Sequence, residues 1–332
     1  MAATSTQPEA PAAAADPTIV ALRKTLCDEA TPLPIRFRAL FSLKHLAKQA
    51  SDAAASDAAS AATAQAAIDA IAAAFGSPSA LLKHELAYCL GQTGNVGAAG
   101  PPLRRLGALG HASDLAMLRA FRDRPGEEVV IRETCEIAID RIEWANNATL
   151  RSHETLRQSD FASIDPAPPL SAESTDGAAT IDKLAATLLD TAQPLFLRYR
   201  AMFALRDLAS PPDLPTAVPA VQALARGFAD ASALFRHEIA FVFGQLSHPA
   251  SIPALTAALS NLDEAGMVRH EAAEALGSLG DEKGVEDTLR LFLHDKEPVV
   301  RESVLVALDM ADYEQGGQAE YALIPETAQA AS

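Results

Sequence analysis

Residues 267–280 read MVRHEAAEALGSLG. A basic residue and a His-Glu pair open a run of Ala and Leu at helical spacing, and glycines close it. The spacing therefore predicts an amphipathic helix from about Met267 to Leu279. The same frame stands at 234–245, LFRHEIAFVFGQ, and at 81–92, LLKHELAYCLGQ. His237 and His270 are 33 residues apart, the length of one helical-hairpin repeat. A fourth pair, His153-Glu154, falls outside these frames and reads as a solvated surface pair. Four His-Glu pairs among only eight histidines are far more than chance supplies.

Outward from these frames the chain repeats itself. TPLPIRFRALFSLKHLA (31–47) returns as AQPLFLRYRAMFALRDLA (192–209), with Arg36 matching Arg198. VVIRETCEIAIDRIEW (129–144) returns as PVVRESVLVALDMADYE (298–314), with Arg132 matching Arg301. In the second half, short helices are expected at 198–208, 218–228, 234–245, 252–259, 267–279 and 300–311. Two helices every 30 to 40 residues mark an α-solenoid of HEAT-like hairpins, here in two pseudo-symmetric halves. The expected layout is a tail over 1–18, a first half over 19–150, a linker over 151–180, a second half over 181–315 and a tail over 316–332. The linker contains FASIDPAPPL, rich in Pro and without periodicity. One repeat of the first half is short: Gln245 to Leu279 spans 34 residues, whereas Gln92 to Leu109 spans 17. A further MVRHEAAEA is missing from that stretch, around 93–109. His111 is nearby but lacks a following Glu and lies beyond the expected helix end.

Composition agrees with an all-α fold: 49% of residues are apolar but only 5% aromatic, with Ala and Leu dominant. The net charge of −16 disfavours binding to nucleic-acid phosphates and favours a basic partner or metal cations. Cys27, Cys89 and Cys135 are odd in number and lack CxxC spacing, so they read as apolar residues of a reducing compartment. No apolar run is long enough for a membrane span, and residues 1–18 lack the basic start of a secretory signal. A soluble intracellular protein is expected.

One His-Glu pair cannot close a coordination sphere, because neighbouring helical side chains diverge by about 100°. Stacked hairpins set equivalent helices about 8–10 Å apart, so pairs from several of them can converge. Histidines with a carboxylate and open positions suit non-haem Fe(II), while Zn, Mn or Ni could also bind. With two halves related by pseudo-twofold symmetry, two sites facing each other are expected. The preceding Lys83, Arg236 and Arg269 read as braces between repeats, and Tyr88 and Phe241 as core. There is no GxSxG, P-loop, HExxH or zinc-ribbon spacing. At this level a non-catalytic scaffold for a basic partner remains open beside the metalloenzyme.

At KHELAYCLGQ, RHEIAFVFGQ and MVRHEAAEALGSLG, with DPAPP between the halves, the chain resembles the deoxyhypusine hydroxylases over roughly residues 19–315. The resemblance implies a HEAT-repeat monooxygenase of hypusine biosynthesis in the cytoplasm and nucleus. It would hydroxylate the deoxyhypusine side chain of translation initiation factor 5A, with O2 as co-substrate and Fe(II), two ions per chain, held by four His-Glu motifs. It further implies that His237, His270 and Glu271 complete one iron's ligand set and that His84 is the matching first-half ligand. Glu85 and Glu238 would face the centre, as iron ligands or as partners of the substrate's ammonium group. The second His-Glu motif of the first half has no counterpart, which leaves two readings: a shortened form of an active enzyme, or a variant with an impaired site.

Overall fold

Each predicted hairpin needs a first helix whose exposed C-terminal carbonyls find partners and a second helix that packs back on it. One residue type does this three times. Arg36, Arg198 and Arg269 each donate from Nε to a carbonyl ten residues earlier, of Leu26, Leu188 and Leu259, at 2.9 Å in every case. Those leucines lie in the last turn of the preceding helix, where a cation also meets the negative end of the helix dipole. The guanidinium then reaches the turn before the next inner helix: Arg36 to Ser77, Arg198 to Asp230, Arg269 to Asp295. One side chain thereby closes its own hairpin and ties it to the next.

The computed structural model describes residues 16–53, 58–93, 112–148, 159–161, 163–171 and 177–315. These form fourteen α-helices with short 3-10 turns and no strand. The first half has α1 (Pro17–Cys27), α2 (Leu33–Ala53), α3 (Ala58–Ala72), α4 (Ala80–Gln92), α5 (Leu115–Arg122) and α6 (Val129–Asn146). The second has α7 (Gly177–Leu189), α8 (Leu195–Leu208), α9 (Ala217–Ala225), α10 (Ala233–Leu246), α11 (Ile252–Ser260), α12 (Gly266–Gly277), α13 (Val285–Arg290) and α14 (Pro298–Gln315). Four hairpins thus stand against three. The shortened repeat, His111 and His153-Glu154 lie outside the described residues, as do most of the two terminal tails.

In the second half α12 packs between α10 and α14, and a single apolar core runs from Ile181 to Ala307. The glycines of LGSLG permit this approach: a methyl group on Gly277 would sit 2.8 Å from the Cα of Ala307. Among the described residues the first half has two separate cores, one over α1 to α4 and one between α5 and α6.

The two halves close on each other reciprocally, which an open solenoid would not do. The last helix of the second half, α14, packs on α2 and α4, while its counterpart α6 packs on α8 and α10. Val306 of α14 enters the first-half core, and its equivalent Ile137 of α6 enters the second-half core. Ser79 donates to Glu302 at 2.7 Å, and the equivalent Ser232 donates to Glu133 at 2.7 Å.

The linker, expected to be a simple connection, is seated where it is described. Gln92 at the end of α4 both donates to the carbonyl of Ile164 and accepts from its N–H. The equivalent Gln245 at the end of α10 donates to Ser163. Arg206, with no exposed side-chain surface, binds Asp165, Asp207, Gln245 and Ser159. Residues 159–171 therefore form a strap across the ends of the two helices that carry His84 and His237. No helix among the described residues is long and apolar enough to cross a membrane.

Candidate metal centre

The inner helices α4, α10 and α12 begin at comparable places, and this sets their His-Glu pairs in register. Ser79 and Ser232 cap α4 and α10 by accepting the N–H of Leu82 and Phe235. Ahead of α12, Glu264 accepts the N–H of Ala265 and binds Arg236 through both oxygens. Arg236 and Arg269 are braces between hairpins, as their spacing suggested, whereas Lys83 is exposed.

The three imidazoles meet. Ring centroids lie 5.6 Å apart for His84 and His237, 5.6 Å for His84 and His270, and 5.4 Å for His237 and His270. Their nitrogens supply three potential ligand atoms within 4.8 Å of one another. His237 and His270 are buried, while His84 stands on the open side with 49% of its side chain exposed. Glu271 brings Oε2 to 3.3 Å from Nε2 of His237. That is a charge contact rather than an aligned hydrogen bond: both ring nitrogens of His237, and Nδ1 of His270, are buried without a hydrogen-bond partner. Buried nitrogens without partners cost free energy unless something else coordinates them. Three imidazoles and a carboxylate form the donor set that a borderline divalent metal takes. The residues present fit such an ion.

Glu274, which sequence reasoning did not single out, belongs to the same site. Together with His270 and Glu271 it forms a second group of potential ligand atoms within 4.8 Å. Its Oε1 accepts from Ser303 of α14 at 2.9 Å and lies 3.6 Å from Nδ1 of His270. The signal was available, because Glu274 occupies the register of Tyr88 and Phe241 in the two other frames. Those aromatics are only partly buried, and their rings pack edge to face across the two halves at 5.6 Å. They line the join between the halves and are not simple core. Glu85 and Glu238 stand outside both ligand groups among the described residues.

The carboxylates differ sharply in protonation. Burial, then the charge of Glu271, pushes Glu85 up to about 8. Burial pushes Glu238 up to about 7, with Glu271 and the strap's Asp165 adding to it. Burial also acts against ionised Glu271, but His237 outweighs it and holds Glu271 below the usual range. For His270 burial dominates and lowers it to about 3. His237 is raised despite its burial because Glu271 lies against it. The site therefore sets one ionised carboxylate among three imidazoles, with two further carboxyls ready to ionise when a cation arrives.

The comparisons agree with this fold. Residues 219–309 match the family described as HEAT repeats. A deoxyhypusine hydroxylase of Neurospora crassa is 67% identical over 333 positions, covering 95% of this chain and 99% of that protein. The deoxyhypusine hydroxylase of Gibberella zeae is 65% identical, covering 96% of both chains. The solved structure of human deoxyhypusine hydroxylase, in complex with glycerol, is 39% identical, with a TM-score of 0.72 over 89% of this chain and 96% of that one. Since 95% of 332 residues is about 315, roughly 16 to 19 of the 333 positions aligned with the Neurospora crassa protein have no counterpart here. That shortfall equals in size the 17 residues by which the first half's repeat is short of the second's. With its duplicated hairpins and converging His-Glu helices, this chain belongs to the deoxyhypusine hydroxylase family of HEAT-repeat enzymes.

Proposed function

We propose that this chain hydroxylates the deoxyhypusine side chain of translation initiation factor 5A to form hypusine, as a monooxygenase using Fe(II) and O2. The observation that carries the iron assignment is the convergence of His84, His237 and His270 with buried, unpartnered nitrogens beside ionised Glu271. His84, His237, His270 and Glu271 would hold the metal. When bound, iron would supply the redox chemistry by which one atom of O2 enters a C–H bond and the other leaves as water, with two electrons and two protons drawn from an external reductant and solvent.

The protein's own residues bind and orient the substrate. Deoxyhypusine is a long, flexible chain bearing ammonium groups, and it needs carboxylates to pair with them. Glu85 and Glu238 stand at equivalent positions in the two halves and ionise when a cation replaces the water they have lost. Tyr88 and Phe241 supply an apolar wall for the methylene stem and keep water from the reacting carbon. The net charge of −16 favours the approach of a basic loop. The enzyme is proposed to act in the cytoplasm and nucleus, where such a factor is available.

The test is to incubate the iron-loaded full chain in air with a two-electron reductant such as ascorbate and factor 5A bearing deoxyhypusine, and to measure the modified peptide by mass spectrometry. A gain of one oxygen on the modified lysine is expected, together with its loss on Glu238→Ala. A non-catalytic scaffold would bind the factor and leave its mass unchanged.

A further inference from the structure

We infer that this chain holds a single metal ion, shared between the halves, with His84 from the first and His237, His270 and Glu271 from the second. The inference rests on the metal-centre reading above and concerns the number of ions and their ownership.

The three rings form a nearly equilateral triangle with sides of 5.4 to 5.6 Å. Metal–imidazole bonds of about 2.0–2.1 Å put ring centroids about 5.2–5.5 Å apart when three rings share one ion at tetrahedral to trigonal angles. The observed triangle is within a few tenths of an ångström of that figure, so the spacing of the rings suits one ion between them. Two ions about 3.5–4 Å apart would each need their own imidazoles, and the described residues bring three in all. The second group of ligand atoms brings no imidazole of its own, because it shares His270 with the first and adds only the carboxylates of Glu274 and of Glu271, which itself lies 3.3 Å from His237. In the first half the hairpin equivalent to α11 and α12 is the one missing from the described residues, and it is the hairpin that would carry a second first-half pair.

Because the ligands come from both halves, removing the single first-half ligand should empty the site. His84 suits this test, since its half-exposed ring can be truncated without opening a core cavity. The full-length chain is loaded with Fe(II) or Co(II) under anaerobic conditions, and metal per chain is measured by mass spectrometry of the digested protein. About one ion per chain is expected, with the electron paramagnetic resonance signal of magnetically isolated Co(II). His84→Ala should weaken retention by at least about 100-fold, the upper end of what loss of a mere supporting contact costs, with an unchanged circular dichroism spectrum. Two ions per chain, or His84→Ala that keeps half of its metal, would overturn the shared single site and leave the hydroxylase reading standing. No bound metal in the wild-type chain would overturn the metal-centre reading itself.

Discussion

The two halves descend from one pattern, yet among the described residues one has a continuous core and the other has two separate clusters. From α7 to α14 every hairpin packs on its neighbour, and buried side chains connect without a break. In the first half, Leu118, Cys135, Ala138, Ile139 and Ile142 form a cluster separate from that of α1 to α4. In a repeat protein each hairpin stabilises chiefly its immediate neighbours, and no described hairpin joins these two clusters. Both halves lean on each other, since Ile137 of α6 is buried in the second-half core and Val306 of α14 in the first. The difference teaches that, among the described residues, the joins carry a larger share of what holds the first half than of what holds the second, whose own core is continuous.

The sharpest way to break that comparison is through the equivalent arginines. Arg269 and Asp295 expose 0% and 4% of their side chains, whereas Arg36 is paired with a Glu29 that is 52% exposed. Replacing Arg269 by Ala leaves a buried carboxylate unpaired and three interactions unmade. It should cost about 3 kcal/mol of unfolding free energy in urea titration. Arg36→Ala leaves Glu29 free to turn to water, so its loss should be clearly smaller. Equal losses would mean that the halves do not differ in how they are held.

A pH series probes the same contrast at the site. Glu85 rises to about 8 and Glu238 to about 7 from an ordinary 4.5, so folding the metal-free chain takes up protons. Stability from this source is fully present below 4.5 and is lost as pH rises through 7 and then 8. Metal-free protein should therefore be more stable at pH 6 than at pH 8.5, by on the order of 4 kcal/mol. Glu85→Gln should flatten the dependence more than Glu238→Gln. Stability that rises between pH 6 and 8.5 would reverse the assignment of both groups.

Much of this architecture was legible, for identifiable reasons. Arg36, Arg198 and Arg269 mark helix starts because the guanidinium must reach the carbonyls of the preceding helix, and that distance is local. The convergence of His84, His237 and His270 was legible because equal register on stacked helices leaves little freedom. The closure of the halves was not. Periodicity in 129–144 and 298–314 shows that Ile137 and Val306 are buried, but one apolar face looks the same whichever helix covers it. The strap was hidden for a related reason. A Pro-rich segment without periodicity gives no sign that Gln92 and Gln245 satisfy its backbone and its Ser163. Glu274 was readable in principle, as the one carboxylate in a register otherwise aromatic, but its meaning depends on Ser303 from a helix 29 residues away.

The smallest effect tests whether the closure is truly reciprocal. Ser79 with Glu302, and Ser232 with Glu133, make the same hydrogen bond across the two joins, both at 2.7 Å and both partly buried. Each serine also caps its helix, so the carboxylate partner is the cleaner target. Glu302→Ala and Glu133→Ala should each cost about 1 kcal/mol in urea unfolding, since a hydrogen bond to a charged acceptor is lost while the serine keeps its cap. The pairs share no residue and sit at different joins, so the double variant should show the sum. An excess over the sum would mean that opening one join opens the other.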